Sequence, residues 1–201
     1  MTTATTVFGA GAWGLTLAEL LTSKGVPVTV WDIDARRLDH LRATGDPGKP
    51  PGLKLPSTIS YEPDLKKAVG ESKFLVSVVP SFAVRSLCGQ LRDAIGGLDG
   101  RIFVSCSKGI EEETLLLASD IVTEHFGADA VNRMAGLSGP SHAEEVCRRV
   151  PTVVVSASPN HETAVEVQNH FMLPTFRIYT QSDLRGVEVG GALKNVIAIA
   201  A

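Results

Sequence analysis

Apolar positions along the chain alternate between two spacings. Short, almost uninterrupted apolar runs are followed by longer segments in which apolar residues recur every three or four positions. The first pattern is typical of β-strands buried on both faces, and the second of α-helices with one buried face. The alternation predicts an α/β fold with a doubly wound, mostly parallel sheet that helices cover on both faces. The predicted strands are 5–8, 27–31, a short one near Ile59, 74–79, 101–105, 134–138, 152–156 and 175–179.

The segments between these runs predict the helices, which cover 15–21, 35–43, 63–69 and 112–126, with others after 81, after 141 and between the last two strands. Ser81 follows a strand directly, so we expect its hydroxyl to cap the next helix. Acidic residues open the 112–126 segment, and they favour a helix start because a helix N-terminus carries positive partial charge. The stretch 45–52 is too rich in glycine and proline for regular structure.

A glycine-rich turn joins the first predicted strand to the first predicted helix. Residues 9–14 read Gly9-Ala10-Gly11-Ala12-Trp13-Gly14, the G-x-G-x-x-G pattern in the strand–turn–helix context of dinucleotide binding. The first glycine permits the tight turn, the second lets a pyrophosphate approach the backbone, and the third lets the helix pack closely on the sheet. The pattern therefore predicts a Rossmann-like nucleotide site, against the alternative of a glycine turn that binds nothing.

Asp32 follows the second predicted strand, where an acid can accept hydrogen bonds from a ribose 2′-hydroxyl and repel a 2′-phosphate. The alternative is a solvated acid at a strand end. Arg36 and Arg37 lie close behind, and they leave room for a 2′-phosphate. We therefore predict NAD or NADP as the cofactor, with NAD favoured.

Two lysines are candidates for catalysis or substrate binding. One follows a strand, where substrates of open α/β sheets bind, and the other lies in an apolar helix. Lys108 follows the 101–105 strand, where a lysine can polarise a carbonyl or hold a phosphate; a surface lysine in a turn is the alternative. Lys194 lies in an otherwise apolar helix, where burial would lower its pKa and suit acid–base chemistry, unless its side chain reaches the surface. Gly139 and Ser141 follow another strand end, where they could meet a substrate or simply cap a helix.

The pattern changes near the end of the chain. From Val187 a helix rich in small and apolar residues runs to Ala201 without a cap or polar tail, which indicates a fragment whose missing part would cover this helix. We therefore expect a dinucleotide-binding domain at 1–182 and, at 183–201, the first helix of a truncated all-α domain.

Composition narrows the class of protein. The 201 residues carry a net charge of −3 and no basic block, so nothing points to nucleic acid as a partner. The three cysteines are scattered, which favours reduced thiols and a cytoplasmic location. No apolar run approaches the ~20 residues that a bilayer span needs, and the N-terminus lacks a signal-peptide pattern. The histidines show no metal-ligand spacing, so we expect no metal site.

Five motifs in order resemble the bacterial-type NAD(P)-dependent glycerol-3-phosphate dehydrogenase family over the whole chain. They are the nucleotide loop 9–14, the strand-end turn 79–81 followed by Phe82, the lysine motif 107–111, the substrate loop 138–145 and the signature helix 190–198. The resemblance implies reversible interconversion of glycerone phosphate and sn-glycerol 3-phosphate for glycerophospholipid synthesis. It also implies a helical C-terminal domain with further substrate contacts, and a homodimer for the full-length protein.

The resemblance assigns roles to individual residues. It makes Lys194 the proton donor or acceptor and has Lys108 contact both substrate and cofactor. Ile33 lies where many members place a basic residue for a 2′-phosphate, which again favours NAD. Together with the residue-based reasoning, the predicted cofactor-binding residues are Gly9, Gly11, Ala12, Trp13, Gly14, Asp32, Ile33, Phe82, Lys108 and Ala143, and the predicted substrate-binding residues are Lys108, Gly139, Ser141 and Lys194.

Two other functions are compatible with parts of this pattern. A β-hydroxyacid or 6-phosphogluconate-type dehydrogenase also joins a Rossmann domain to a helix with a catalytic lysine. Its helix typically carries asparagine four residues after the lysine, whereas this chain has Ala198 there and Asn195 next to Lys194. A non-catalytic NAD(P)-binding fragment would keep the glycine loop and lack turnover. The two lysines argue against this alternative, whereas the expected truncation of the chain argues for it.

Overall fold

Eight strands form one sheet in the computed structural model, which describes residues 3–200. The strands are β1 (Thr5–Phe8), β2 (Val28–Trp31), β3 (Ser60–Tyr61), β4 (Phe74–Ser77), β5 (Ile102–Ser105), β6 (Met134–Ser138), β7 (Thr152–Ala157) and β8 (Phe176–Gln181). They lie in the order β3-β2-β1-β4-β5-β6-β7-β8, and every neighbouring pair is parallel except β6 and β7. The predicted doubly wound, mostly parallel sheet is therefore confirmed.

Helices connect the strands and cover both faces of the sheet. They are α1 (Ala12–Ser23), α2 (Ala35–Thr44), α3 (Leu65–Val69), α4 (Val84–Ile95), α5 (Ala118–Phe126), α6 (Ala143–Cys147), α7 (His161–Phe171) and α8 (Leu184–Ala200). None of the helices in residues 3–200 has the length and apolar content that crossing a bilayer requires. Met1, Thr2 and Ala201, at the outer ends of the two predicted domains, lie outside the described residues, and the division at 182/183 stays a prediction.

Alternate side chains of each parallel strand enter two separate cores. Val7, Val30 and Val76 are in register and belong to the core under α1, α2 and α7. Phe8 and Leu75 point to the other face, into the core formed with α3, α4 and α5. Because successive side chains of a strand point to opposite faces, a strand buried on both faces is apolar at nearly every position. The continuous apolar runs of the sequence thus have a direct physical cause.

The helix predicted over 112–126 begins later than expected, at Ala118, so that prediction is wrong in its first six residues. Leu115 has a φ of 59°, a left-handed conformation that interrupts a helix. The segment forms instead a turn closed by Glu111, whose N–H donates to the Leu116 carbonyl at 2.9 Å. Arg85 of α4 holds the Glu111 carboxylate in a bidentate ion pair, with N···O distances of 2.9 and 2.8 Å. These contacts outweigh the preference of the acidic residues for a helix start.

The expected cap from Ser81 is also wrong. Ser81–Ala83 forms a short 3₁₀ turn before α4, and no side chain among residues 3–200 caps either helix start. The Ser81 side chain instead lies against Gly109, where an added Cβ would come within 2.6 Å of the Ser81 Oγ. The hydroxyl is therefore packed against the segment that carries Lys108.

A largely buried histidine lies at the amino ends of the central strands β1 and β4. The His170 ring stacks on Phe74 with 3.8 Å between ring centroids, and its Nε2 lies 2.7 Å from the Thr5 Oγ1. Burial, with smaller contributions from the charges of Lys24 and Lys73, lowers the pKa of His170 to about 3. The imidazole is thus neutral in the folded protein at neutral pH.

This histidine predicts how the protein loses stability in acid. The folded-state pKa lies below the ordinary value of 6.5, so its stabilising contribution is present above pH 6.5 and is lost as the pH falls toward 3. We expect roughly 3 kcal/mol of unfolding free energy to disappear between pH 7 and pH 4 through this group. Urea unfolding across that range should show a flatter pH dependence for His170→Gln. The matched control is His161→Gln, because His161 is exposed on the same helix, and an equal flattening there would contradict the assignment.

Candidate nucleotide and substrate site

The carboxyl ends of β1, β4 and β5 open into one cavity of about 730 Å³. Strand order reverses between β1 and β4, and such a switch point at the carboxyl edge is where open α/β sheets bind ligands. The cavity is lined by Gly9, Gly11, Trp13, Trp31, Asp32, Ile33, Val78, Val79, Pro80, Phe82, Ala83, Ser86, Leu87, Gln90, Cys106, Ser107, Lys108, Ser141, His142 and Ala143.

The three glycines of the 9–14 loop differ in how much room surrounds them. Gly9 has a φ of 112°, which side chains rarely adopt, and a Cβ there would lie 3.0 Å from the Val78 carbonyl oxygen. A Cβ at Gly14 would lie only 2.0 Å from the Gly9 carbonyl oxygen. In contrast, a Cβ at Gly11 would meet nothing within 4 Å in the described part of the chain, and Gly11 lines the cavity. Gly11 therefore leaves its backbone open to a ligand.

The N-terminus of α1 has the chemistry of an anion site. No side chain within residues 3–200 caps it, and its first turn contains no acidic residue. The chain caps comparable starts elsewhere, since the side chains of Asp34 and Asn160 accept N–H bonds at the starts of α2 and α7. Free N–H groups at a helix start and the helix dipole together favour a phosphate group. The residues present therefore fit the pyrophosphate of a dinucleotide.

Asp32 is tied to the glycine loop as well as to its own strand end. Its Oδ2 accepts a hydrogen bond from the Ala10 N–H at 2.6 Å, and its Oδ1 accepts one from the Asp34 N–H at 2.9 Å. Each carboxylate oxygen retains a further lone pair for a ligand. The carboxylate thus both orders the loop and presents negative charge to the cavity.

Apolar side chains extend into solvent at the mouth of the cavity. Ile33 is 82% exposed and Phe82 is 74% exposed, and both line the cavity. Large exposed apolar side chains at a cavity mouth are typical of ligand-binding walls. Trp13 is half-buried, and its indole N–H has no hydrogen-bond partner among the residues that the structure describes. The exposed Ile33 and Phe82 side chains therefore offer an apolar surface for a flat ring.

Lys108 is half-buried where β5 opens into the cavity. The Ser107 hydroxyl donates to the Val79 carbonyl oxygen at 2.6 Å and joins the lysine segment to the end of β4. Burial lowers the pKa of Lys108, and the nearby charge of Lys194 lowers it further. Lys108 also lies against α8, the helix that carries Lys194, since an added Cβ at Gly191 would lie 3.8 Å from the Lys108 Cγ.

Lys194 lines a second cavity, of about 610 Å³, between the end of β6 and α8. Its side chain is exposed, so the burial that was expected from the apolar helix is not found.

Gly139 lines this second cavity, while His142 lines both. The Ser141 hydroxyl donates only a long bond, of 3.4 Å, to the Gly139 carbonyl oxygen. Ser141 does not cap α6, whose N-cap position is His142.

The cavities divide the predicted site residues into three sets. The 730 Å³ cavity takes Gly9, Gly11, Trp13, Asp32, Ile33, Phe82, Lys108, Ser141 and Ala143; the second cavity takes Gly139 and Lys194; Ala12 and Gly14 line neither. Sequence reasoning missed Ser86 and Gln90, which line the first cavity one helical turn apart on α4. Their spacing of four after a strand-end turn was the available signal. In residues 3–200, no group of three or more metal-ligating side chains is placed to hold an ion.

A glycine loop at the switch point of a parallel sheet, with an uncapped helix start and a strand-end acid, defines a dinucleotide-binding protein of the Rossmann class. The profile of the family described as "NAD-dependent glycerol-3-phosphate dehydrogenase N-terminus" matches residues 4–164. The chain therefore belongs to the NAD(P)-dependent glycerol-3-phosphate dehydrogenase family, as the five motifs predicted. The predicted NAD(P) cofactor and oxidoreductase class agree with this family.

Individual relatives are similar over nearly the whole chain. A glycerol-3-phosphate dehydrogenase [NAD(P)+] of Fusobacterium nucleatum is 44% identical over 97% of this chain, and one of Moorella thermoacetica is 46% identical over 96%. The crystal structure of glycerol-3-phosphate dehydrogenase from Coxiella burnetii superposes with a TM-score of 0.89 at 30% identity and covers 99% of this chain and 60% of that one. The chain spans 58% and 56% of the lengths of the first two relatives.

Proposed function

We propose that the whole protein, the product of the complete gene, reduces glycerone phosphate to sn-glycerol 3-phosphate with NAD(P)H, reversibly, for glycerophospholipid synthesis. The observation that carries this proposal is the position of Lys108, which lines the nucleotide cavity and lies against α8, the helix that carries Lys194 into the neighbouring cavity: an added Cβ at Gly191 of α8 would lie 3.8 Å from the Lys108 Cγ. A nucleotide site and a paired cationic site side by side suit a phosphorylated carbonyl substrate. Family membership supports the same reaction.

The cofactor role falls to the first cavity. The N–H groups of Ala12, Trp13 and Gly14, in the first turn of α1, would hold the pyrophosphate, and Asp32 would accept from the ribose. The remaining cofactor contacts are proposed for Gly9, Gly11, Ile33, Phe82, Lys108 and Ala143. We place NAD ahead of NADP because the Asp32 carboxylate would repel a 2′-phosphate. The Arg37 guanidinium, a candidate to offset this repulsion, donates to the Pro47 carbonyl oxygen at 2.7 Å.

The substrate role falls to the residues between the two cavities. Lys108 and Lys194 carry two positive charges, which attract the negatively charged phosphate of a phosphate monoester. Binding of this phosphate would also reduce the repulsion between the two lysines. Gly139 and Ser141 would contribute a backbone edge and a hydroxyl with a weak internal bond. This arrangement selects for an anionic substrate, since a neutral hydroxyketone would leave the two lysines in mutual repulsion.

A nicotinamide cofactor held by the glycine loop and Asp32 would supply a hydride for the carbonyl carbon of the substrate. The carbonyl π electrons then move to oxygen, where Lys194 donates a proton to the developing alkoxide and is reprotonated from solvent. Lys108 stabilises the same developing charge by electrostatic attraction. In the reverse direction Lys194, as the free amine, accepts the hydroxyl proton. Positioned proton transfer of this kind contributes about 10²–10⁴ in rate.

An absorbance assay at 340 nm tests the reaction. The whole protein should oxidise NADH with glycerone phosphate and show no comparable rate with a β-hydroxyacid's keto form or with 6-phosphogluconate in the reverse direction. Preference for either of those substrates would favour the rival dehydrogenase class, which Ala198 in the asparagine position already disfavours. Cofactor binding without turnover of any of them would favour the non-catalytic alternative.

Cofactor choice gives a separate prediction. Asp32→Asn keeps the shape of the side chain and an oxygen for the Ala10 N–H, but removes the charge that would face a 2′-phosphate. We expect the ratio of NADPH to NADH affinity to rise roughly tenfold, about 1.4 kcal/mol. The control is Asp39→Asn, because Asp39 is an exposed acid of α2 that pairs with Arg42. A wild-type preference for NADPH, or an equal shift in the control, would refute this role of Asp32.

Location and assembly follow the same proposal. Cys88 and Cys106 are buried free thiols, and Cys147 is a partly exposed one, which supports a reducing, cytoplasmic environment. A small-molecule substrate, with neither nucleic acid nor membrane as a partner, is consistent with the family. We also propose a homodimer for the whole protein, which light scattering of the purified product would test.

A further inference from the structure

One acidic side chain of α8 is almost completely withdrawn from solvent. Glu188 is 9% exposed and lies six residues before Lys194 on the same helix. Its Oε1 accepts a hydrogen bond from the Ser119 N–H at 3.0 Å, and its Oε2 accepts one from the Ser119 hydroxyl at 2.5 Å. Ser119 is the second residue of α5, so the carboxylate lies at the start of that helix. The contact joins α8 to an element 69 residues earlier in the chain.

The position of this carboxylate explains how its burial is tolerated. Burying a carboxylate is unfavourable unless it is hydrogen-bonded, and burial here raises the pKa of Glu188. The two bonds from Ser119 and the positive end of the α5 dipole favour the charged form. Asp120 opposes that charge and Arg185 supports it. Arg185 of α8 also forms an ion pair with Asp120 of α5. Because the Arg185 side chain is exposed, this ion pair contributes less to holding α8 than the buried bonds of Glu188 do.

The rest of the contact leaves α8 little freedom to slide. An added Cβ at Gly136 of β6 would come within 3.0 Å of the Leu184 Cδ1 and 3.9 Å of the Glu188 Cγ. An added Cβ at Gly191 would lie 3.0 Å from the Ser138 Oγ and 3.8 Å from the Lys108 Cγ. Small residues therefore let the helix and the strand end approach closely, and the approach brings α8 against Lys108.

Lys194 lies beyond these contacts along the helix. Six residues at a rise of 1.5 Å place it about 9 Å from Glu188 along the helix axis. Among residues 184–200, Leu184 and Glu188 are the buried ones. The orientation of the second half of α8 therefore depends on how its first half is held.

We propose that Glu188 is a positioning residue, whose hydrogen bonds to Ser119 fix α8 so that Lys194 stays beside Lys108. The importance of this for catalysis rests on the role proposed above for Lys194. The positioning itself can be measured without turnover, because Lys108 reports on the approach of α8 through its own ionisation.

The test measures the pKa of Lys108 in the 201-residue chain by NMR, after reductive ¹³C-methylation of the lysines. The Lys108 signal is assigned by its loss in Lys108→Arg. In Glu188→Ala, α8 should move away, so solvent reaches Lys108 and the Lys194 charge recedes. Both changes raise the pKa of Lys108 toward its ordinary 10.5. Glu188→Gln should restore a nearly wild-type value, since an amide oxygen accepts from the Ser119 N–H and the amide N–H can donate to its hydroxyl. Glu162→Ala, which removes an exposed acid of α7, should change nothing.

An unchanged pKa of Lys108 in folded Glu188→Ala would overturn the proposal. If that variant does not fold, Ser119→Ala decides the question: it removes one of the two donors, and we expect a smaller shift in the same direction, whereas no shift overturns the proposal. In the whole protein, Glu188→Ala should lower kcat and leave the Kd for NADH unchanged. Wild-type turnover by Lys194→Met would remove the catalytic role of Lys194 while the Lys108 shift in Glu188→Ala would still stand, so the two failures are distinguishable.

Discussion

Replacing Lys194 by methionine in the whole protein is expected to lower kcat for glycerone phosphate reduction by roughly 10²- to 10⁴-fold. Methionine keeps an unbranched side chain on an exposed position of α8, so packing changes little while the proton donor is lost. The Kd for NADH should change little, because Lys194 lines the second cavity rather than the nucleotide cavity. Steady-state assays at saturating NADH, with NADH titrated separately, measure the two quantities.

Lys66→Met is the matched control for this substitution. Lys66 is exposed on α3, outside both cavities, so its loss should leave kcat unchanged. Turnover of Lys194→Met at the wild-type rate would reduce Lys194 to a surface residue. An equal fall in both variants would show that the loss reflects charge or stability rather than proton transfer.

Replacing Gly14 by alanine is expected to abolish measurable NADH binding and to lower the free energy of unfolding by about 3 kcal/mol or more. The added methyl group would lie 2.0 Å from the Gly9 carbonyl oxygen, and the atom it meets is backbone rather than a movable side chain. Relief requires α1 to shift away from the loop, which misplaces the N–H groups proposed to hold the pyrophosphate. Chemical denaturation and calorimetric titration with NADH measure the two effects.

Gly89→Ala provides the comparison for Gly14→Ala. Gly89 lies inside α4, and a Cβ there would meet the His125 Cε1 at an ordinary 3.7 Å. Because alanine is the better helix former by about 1 kcal/mol, this substitution should be neutral or stabilising. Normal NADH affinity and stability in Gly14→Ala would contradict the loop geometry.

The features that the sequence predicted well depend on local constraints. The strands that contain Val7 and Val76, β1 and β4, are buried on both faces of the sheet. This burial requires an apolar residue at nearly every position of each strand. The glycine loop was predictable because the Gly14 position excludes any side chain, whatever surrounds it. Asp32 was found by its distance from the loop, although its bond to the Ala10 N–H was not expected.

The features that the sequence did not predict depend on partners far away in the chain. The late start of α5 reflects the ion pair between Arg85 and Glu111. Helix propensities describe local sequence and do not include such a contact with another element. The role of Glu188 was not predicted from the sequence, because it depends on hydrogen bonds from Ser119 on α5. The exposure of Lys194 follows from how α8 meets the sheet, and spacing alone could not show which side of the helix would be covered.

The cavity at the β1–β4 switch point is expected to bind a dinucleotide through its glycine loop. This binding can be measured by calorimetric titration of the 201-residue chain with NADH, repeated in the presence of ADP-ribose. ADP-ribose carries the adenosine and pyrophosphate but lacks the nicotinamide. We expect a single saturable site for NADH, and we expect ADP-ribose to compete for that site. Absence of NADH binding by the folded chain, or NADH binding that excess ADP-ribose does not weaken, would contradict this expectation.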